Sequence, residues 1–192
     1  MTIPYGDNGI EQHSTLSQIE TSPYVEAKLE EWGIQEIASP NDLLNLRKHM
    51  YTSLQRLPYN EETKTAEKTI RWKRTGAQVL EDGYVYETKG CTDIVVAFLT
   101  LARAAGVENT RFVKVKNPET RTVHSIGEFE LPDGWYIFDV SNSSAVPVKG
   151  EILKNEPFSV VGVPSSYFLW KKGRDSWDLG LTEFETIKKI QV

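Results

Sequence analysis

The sequence predicts an α+β fold, and three observations carry that reading. Capped segments with apolar residues every three or four positions fill the first half of the chain, and strand-like runs fill much of the second. Between them stands one segment, CTDIVVAFLTLARAAGV, that is apolar on nearly every face. A helix with no polar side has to be buried, so it is the natural centre for the other elements. At 192 residues, with 39% hydrophobic and 26% charged residues, the chain suits one globular domain able to bury a core without staples. The disordered, collagen-like and membrane-spanning classes fall away on the same figures.

Residues 1–21 are polar and aperiodic and read as a flexible N-terminal tail ahead of a single domain over 22–192. Ser22 caps a helix, Pro23 takes its first position and Gly33 ends it. Ser39 and Pro40 repeat the device for NDLLNLRKHMYTSLQRL, where Leu43, Leu46, Met50, Leu54 and Leu57 make an apolar stripe up to Pro58. The stretch KTAEKTIRWKRTGAQVLEDG reads as one helix with Ala66, Ile70, Ala77 and Leu80 inward, weakened by Gly76 and closed by Gly83. The buried helix then runs from Cys91 to a cap at Gly106. Strands follow at Arg111–Val115, Thr122–Leu131 and Trp135–Val140, the last two joined through Leu131-Pro132-Asp133-Gly134. FSVVGV and SYFLW look like further strands, and Thr182 with Glu185 reads as the capping box of a short last helix.

A net charge of −5 and a pI of about 5.3 disfavour a dedicated nucleic-acid binder, whose affinity rests on a basic face. The single cysteine rules out an intrachain disulfide and a Cys-rich zinc site. No acidic loop with the alternating ligands of a calcium-binding hand is present either. No cofactor and no metal are expected. The N-terminal segment lacks the basic start and apolar run of a secretory signal, and the longest apolar stretch contains Arg103, so a cytoplasmic protein without membrane contact is expected.

Cys91 opens the buried helix directly after Gly90. At a helix start the first N–H groups are unpaired and the dipole favours negative charge, which stabilises a thiolate and could hold an oxyanion. A thiolate mechanism also needs a base and a group to orient it. His124 and Asp139 lie on the two strands of the hairpin. If Glu130 faces Trp135 across the turn, Asp139 stands opposite Ile126 and His124 is its diagonal neighbour on the same face. A two-residue Asp133-Gly134 loop would carry Asp139 too far along the strand, and an odd-length loop would send the pair to opposite faces. Each residue also has a plainer reading. An unpaired cysteine on an apolar helix is often core filler, and a strand histidine is often a surface or packing residue. The aspartate is harder to set aside, since a carboxylate in a run as apolar as WYIFDV must be paired or exposed.

The stretch GCTDIVVAFLTLARAAGVENTRFVKV resembles the core motif of the transglutaminase-like superfamily: a glycine and cysteine, an acidic residue two positions on, an apolar helix, Arg-Ala-x-Gly, then a strand. The segments VHSIGEFEL and GWYIFDV are similar to that family's histidine strand and the strand after it, and AQVLEDGYVYETKG to the lead-in to its cysteine. The likeness covers residues 39–144. It implies a papain-like arrangement in which a central helix headed by Cys91 packs on an antiparallel sheet bearing His124 and Asp139. It also implies Cys91 as nucleophile, His124 as general base and acid, and Asp139 as the orienting carboxylate. Thiol-dependent acyl transfer or hydrolysis at an amide follows, on a protein or peptide substrate, with transglutaminase, protease and amidase all open. Trp72, Tyr84 and Tyr86 lie upstream and carry a hydrogen-bond donor for the oxyanion, though each could equally be a core or rim aromatic. The rival expectation is a non-catalytic protein-binding module on the same fold. Substrate, acyl acceptor and oligomeric state stay open.

Overall fold

The computed structural model describes residues 17–163 and 166–191. Helix α1 (Pro23–Glu31) starts at Ser22, whose hydroxyl accepts from the Val25 N–H. Helix α2 (Pro40–Ser53) starts at a reciprocal Ser39/Asp42 capping box. The helix stops at Ser53, earlier than its apolar stripe suggests. Leu54 caps it in extended backbone, and β1 (Gln55–Leu57) then pairs in parallel with β2 (Tyr84–Tyr86).

The expected helix across residues 64–83 is two helices, α3 (Lys64–Ile70) and α4 (Gly76–Asp82). The break has a local cause. Thr75 and Gln78 form a capping box that starts a new helix, while Trp72 sits at φ +62 and turns the chain between them. Gly76 serves close packing at this point. A Cβ there would lie 2.0 Å from Thr100 Oγ1, so its absence lets α4 approach the buried helix α5 (Cys91–Ala104).

The strands β3 (Thr110–Lys116), β4 (Val123–Leu131), β5 (Gly134–Phe138), β6 (Val148–Lys149), β7 (Phe158–Ser159) and β8 (Ser166–Gly173) form one antiparallel sheet in the order β6-β5-β4-β3-β8-β7. In the β4–β5 hairpin Glu130 pairs with Trp135, the register that brings His124 to Asp139, but pairing continues to Leu131 and Gly134, so the turn is the two residues Pro132-Asp133 and not a four-residue Leu131–Gly134 loop. Alternation divides the sheet. Phe112, Phe129, Leu131 and Phe138 join α5, α2, α1 and α4 in the main core, and Phe98 of α5 packs edge-on against Phe129 and Phe138. Val113, Val115 and Ile126 face the other way, under Ile152, Val160 and Tyr167. A short 3-10 helix (Phe184–Ile187) and α6 (Lys188–Gln191) end the described chain, and the capping pair is Glu183/Thr186, one residue beyond the Thr182/Glu185 pair expected.

The expected tail needs a correction at its end. Residues 1–16 lie outside the described residues, but Gln18 and Ile19 are buried. The Gln18 amide donates to the carbonyls of Trp72 (3.2 Å) and Arg74 (2.8 Å) and accepts from Ser176 Oγ (2.6 Å). This segment lacks apolar periodicity because it is held by polar bonds, a kind of anchoring that hydrophobic pattern does not register.

Candidate functional site

Helix α5 brings Cys91 to the meeting point of two adjoining pockets. One of about 400 Å³ is lined by Trp72, Thr88, Lys89, Lys114 and Arg121 among others. The second is lined by Arg56, Tyr86, His124 and Ser141 among others. Together they form a cleft with the sulfur at its floor. The helix cap Gly90 offers no side chain to occupy the first amide groups, and a Cβ on it would press against the Tyr86 carbonyl at 2.6 Å. The N-terminal N–H groups are therefore left to whatever stands in front of Cys91.

His124, near the start of β4, and Asp139, just past the end of β5, meet as the register predicts: Nε2 lies 2.9 Å from Asp139 Oδ2. The second carboxylate oxygen accepts from Ser141 Oγ at 3.0 Å. Helix α2 braces the turn behind the carboxylate. Arg47 donates to the carbonyls of Asn142, Ser143 and Ala145, and the Tyr51 hydroxyl donates to that of Val140. Asp139 is thus buried but fully engaged, which resolves the question posed by a carboxylate in an apolar strand.

Sequence reasoning missed the group beneath the cysteine. Lys114 of β3 pairs with Ser125 of β4, and both point to the α5 side. Lys114 is 1% exposed, and its Nζ donates to Ser125 Oγ (2.8 Å) and reaches Thr92 Oγ1 (3.4 Å). Ser125 Oγ is in turn 3.8 Å from Cys91 Sγ and 2.9 Å from Thr92 Oγ1. A buried ammonium therefore stands one hydroxyl away from the thiol. The signal was present in RFVKV, since period two turns Lys114 inward with Phe112.

The electrostatics follow from these contacts. Burial alone would raise the Cys91 pKa, but Lys114, the His124 imidazole and the Ser125 hydroxyl outweigh it and hold the thiol at about 6. Burial alone would lower His124, but the hydrogen bond it donates to Asp139 and the contact with Cys91 raise it to about 9. Between those values the pair is thiolate and imidazolium. Lys114 itself is pushed down by burial, with the thiolate opposing.

The three aromatic donors part company. Trp72 lines the cleft, but its indole N–H donates to Thr92 Oγ1 at 3.0 Å. Tyr84 lies against the Arg74 guanidinium and edge-on to the Tyr86 ring, and it lines neither pocket. Tyr86 lines the cleft beside Cys91 and His124. Asp93 bonds Arg74 at 2.6 Å in a buried pair that fixes the helix start to the residue 72–75 turn. Three of the four non-glycine residues at positive φ among the described residues, Trp72, Thr88 and Arg121, line the same pocket. Each costs on the order of 1–2 kcal/mol, and such outliers cluster where a site needs its walls fixed. Among the described residues no group of three potential metal ligands occurs, and no helix is long and apolar enough to cross a membrane.

A helix headed by cysteine against an antiparallel sheet that carries histidine defines the papain-like, transglutaminase-like fold of cysteine proteases. Among solved structures the chain is similar to a putative cysteine protease from Cytophaga hutchinsonii, with a TM-score of 0.51 and 15% identity. That match covers 85% of this chain and 48% of the other, so the chain spans about half the length of that relative. It is also similar to LapG of Legionella pneumophila, at 16% identity and a TM-score of 0.47 over 88% of each chain. The EGTA-treated form gives 0.46 over 88% and 90%. No family model matches the sequence, and no curated protein matches it.

Proposed function

We propose that this chain is a transglutaminase-like cysteine hydrolase that attacks amides of a protein or peptide through Cys91, His124 and Asp139. The observation that carries the reading is geometric: Cys91, at the head of a buried helix, shares a pocket with His124, whose imidazole is bonded to a buried carboxylate at 2.9 Å, and the same contacts lower the thiol to about 6 and raise the imidazole to about 9. A binding module has no use for that charge separation at neutral pH, so the non-catalytic alternative is not favoured.

In this mechanism Cys91 Sγ, as thiolate, attacks the amide carbonyl carbon. The oxyanion that forms is met by the first N–H groups of α5, and of the three side-chain candidates Tyr86 is the one that lines the pocket shared by Cys91 and His124. The C–N bond breaks as His124 gives its proton to the leaving amine, and a thioester on Cys91 remains. Nε2 is engaged by Asp139, so Nδ1 is the nitrogen left for this exchange. Neutral His124 next takes a proton from water, hydroxide adds to the thioester carbonyl, and the acid departs as the thiolate returns. An amine in place of water gives acyl transfer by the same steps.

The test is incubation with a library of proteome-derived peptides near pH 7.5, with new termini read by mass spectrometry. Wild type should generate new N-termini, while Cys91→Ala and His124→Ala generate none. Cleavage that persists in Cys91→Ala would overturn the assignment. A dansylated amine added to the same reaction separates the two acceptors, since incorporation reports transfer and its absence reports hydrolysis.

A further inference from the structure

The chain carries a net charge of −5, yet the cleft around Cys91 has the opposite sign. Its two pockets are lined by Arg56, Arg71, Lys89, Lys114 and Arg121, and by no carboxylate among the described residues. These cations differ in how far they are already satisfied. Arg71 is held by Glu67 through two bonds of 2.6 and 2.5 Å. Arg56 lies over the Tyr51 ring, and Lys114 is buried beneath the sulfur. Lys89 and Arg121 are exposed and have no carboxylate partner among the described residues, though the Lys89 ammonium lies over the Tyr59 ring. Arg121 is also held at φ +57, a conformation that costs a non-glycine residue energy and fixes where its side chain starts.

From these charges we propose that the cleft selects an acidic peptide segment, with carboxylates beside the attacked amide set against Lys89 and Arg121. The inference rests on Cys91 being the nucleophile and adds the substrate class to that reading. Cations without carboxylate partners along a concave wall concentrate anions and speed their arrival, and Arg121 can take a carboxylate through two parallel N–H bonds. A nucleic acid is the weaker fit. Its phosphates extend well beyond the cleft over a surface that is acidic overall, whereas a short run of carboxylates ends where the cations end.

A pair of alkylating reagents tests this without a known substrate. Iodoacetate and iodoacetamide modify the same sulfur but differ in charge, and each rate is referred to that of a small free thiol under the same conditions. At low salt the iodoacetate-to-iodoacetamide ratio for Cys91 should exceed the free-thiol ratio by about fivefold and collapse toward it near 1 M salt. In Lys89→Gln/Arg121→Gln the ratio should fall by about threefold. Hexaglutamate should slow iodoacetamide labelling at low salt where hexaglutamine does not. Fast iodoacetamide labelling with no iodoacetate advantage overturns the acidic-substrate proposal and leaves the nucleophile intact. An advantage unchanged in the double variant overturns the roles of Lys89 and Arg121, and protection by an oligonucleotide but not by hexaglutamate overturns the peptide. Labelling by both reagents no faster than the free thiol takes down the nucleophile and the proposal with it.

Discussion

Replacing Lys114 by Met removes the buried ammonium while keeping the length of the side chain. Ser125 Oγ lies 3.8 Å from the Cys91 sulfur and 2.8 Å from Lys114 Nζ, so sulfur and nitrogen are at most about 6.6 Å apart. At an effective dielectric of about 20, unit charges at that distance attract by about 2.5 kcal/mol. That corresponds to about a 60-fold change in the thiol–thiolate equilibrium, or nearly two pH units in the midpoint of alkylation. The assay is the rate of iodoacetamide labelling of Cys91 from pH 5 to 10, wild type against Lys114→Met. The wild-type midpoint should fall at about 6, and the variant's should move alkaline by nearly two units. The fold should tolerate the change, because Thr92 and Ser125 still bond each other at 2.9 Å and the thiolate left without its cation can take up a proton instead of staying buried as a lone charge. A variant that melts no lower than wild type and keeps its midpoint within about half a unit would refute the electrostatic role of Lys114.

Asp139→Asn should lower kcat/KM by two orders of magnitude or more, and less than His124→Ala does, because the carboxylate orients and stabilises the imidazolium without itself moving a proton. The site should leave folding stability level between about pH 6.5 and 9. The raised pKa of His124 stabilises the fold below 6.5 and loses that effect as pH rises through 9, while the lowered pKa of Cys91 stabilises above 9 and loses it as pH falls through 6. Folded and unfolded states then each hold one proton across the window, and the opposing slopes cancel. In Cys91→Ala the histidine's slope stands alone, so urea midpoints should fall with rising pH relative to wild type, and parallel curves would contradict the ion pair. Gln18→Ala should cost about 2 kcal/mol in chemical denaturation, because it leaves the carbonyls of Trp72 and Arg74 without their buried donor.

The hairpin is the part of the site most legible in the sequence. Period two and one choice of turn brought His124 to Asp139, and the observed pairing of Glu130 with Trp135 is the register that choice requires. The buried helix was equally plain, since no exposed helix could carry the run from Ile94 to Leu101. Legibility ended where polar groups took apolar positions or backbone bonds replaced packing. Lys114 occupies an inward place in β3 that pattern reading assigns to a hydrophobe. Leu54 and Leu57 match a helical stripe, yet the parallel bridge to Tyr84–Tyr86 draws Leu57 into a strand. Trp72 at positive φ divides a helical pattern that periodicity carries straight through. Gln18 is fixed by bonds to residues far along the chain, which no local window contains.

Whether Cys91 is an activated nucleophile is read most directly from the mass of the intact protein after brief mixing with p-nitrophenyl acetate at pH 7.5. Wild type should gain one acetyl group, mapped to Cys91, removed by neutral hydroxylamine as a thioester is, and absent from Cys91→Ala. His124→Ala should acquire it far more slowly. An acetyl group found only on lysines or the N-terminus, or a Cys91 adduct forming equally fast without His124, would contradict an activated thiol nucleophile.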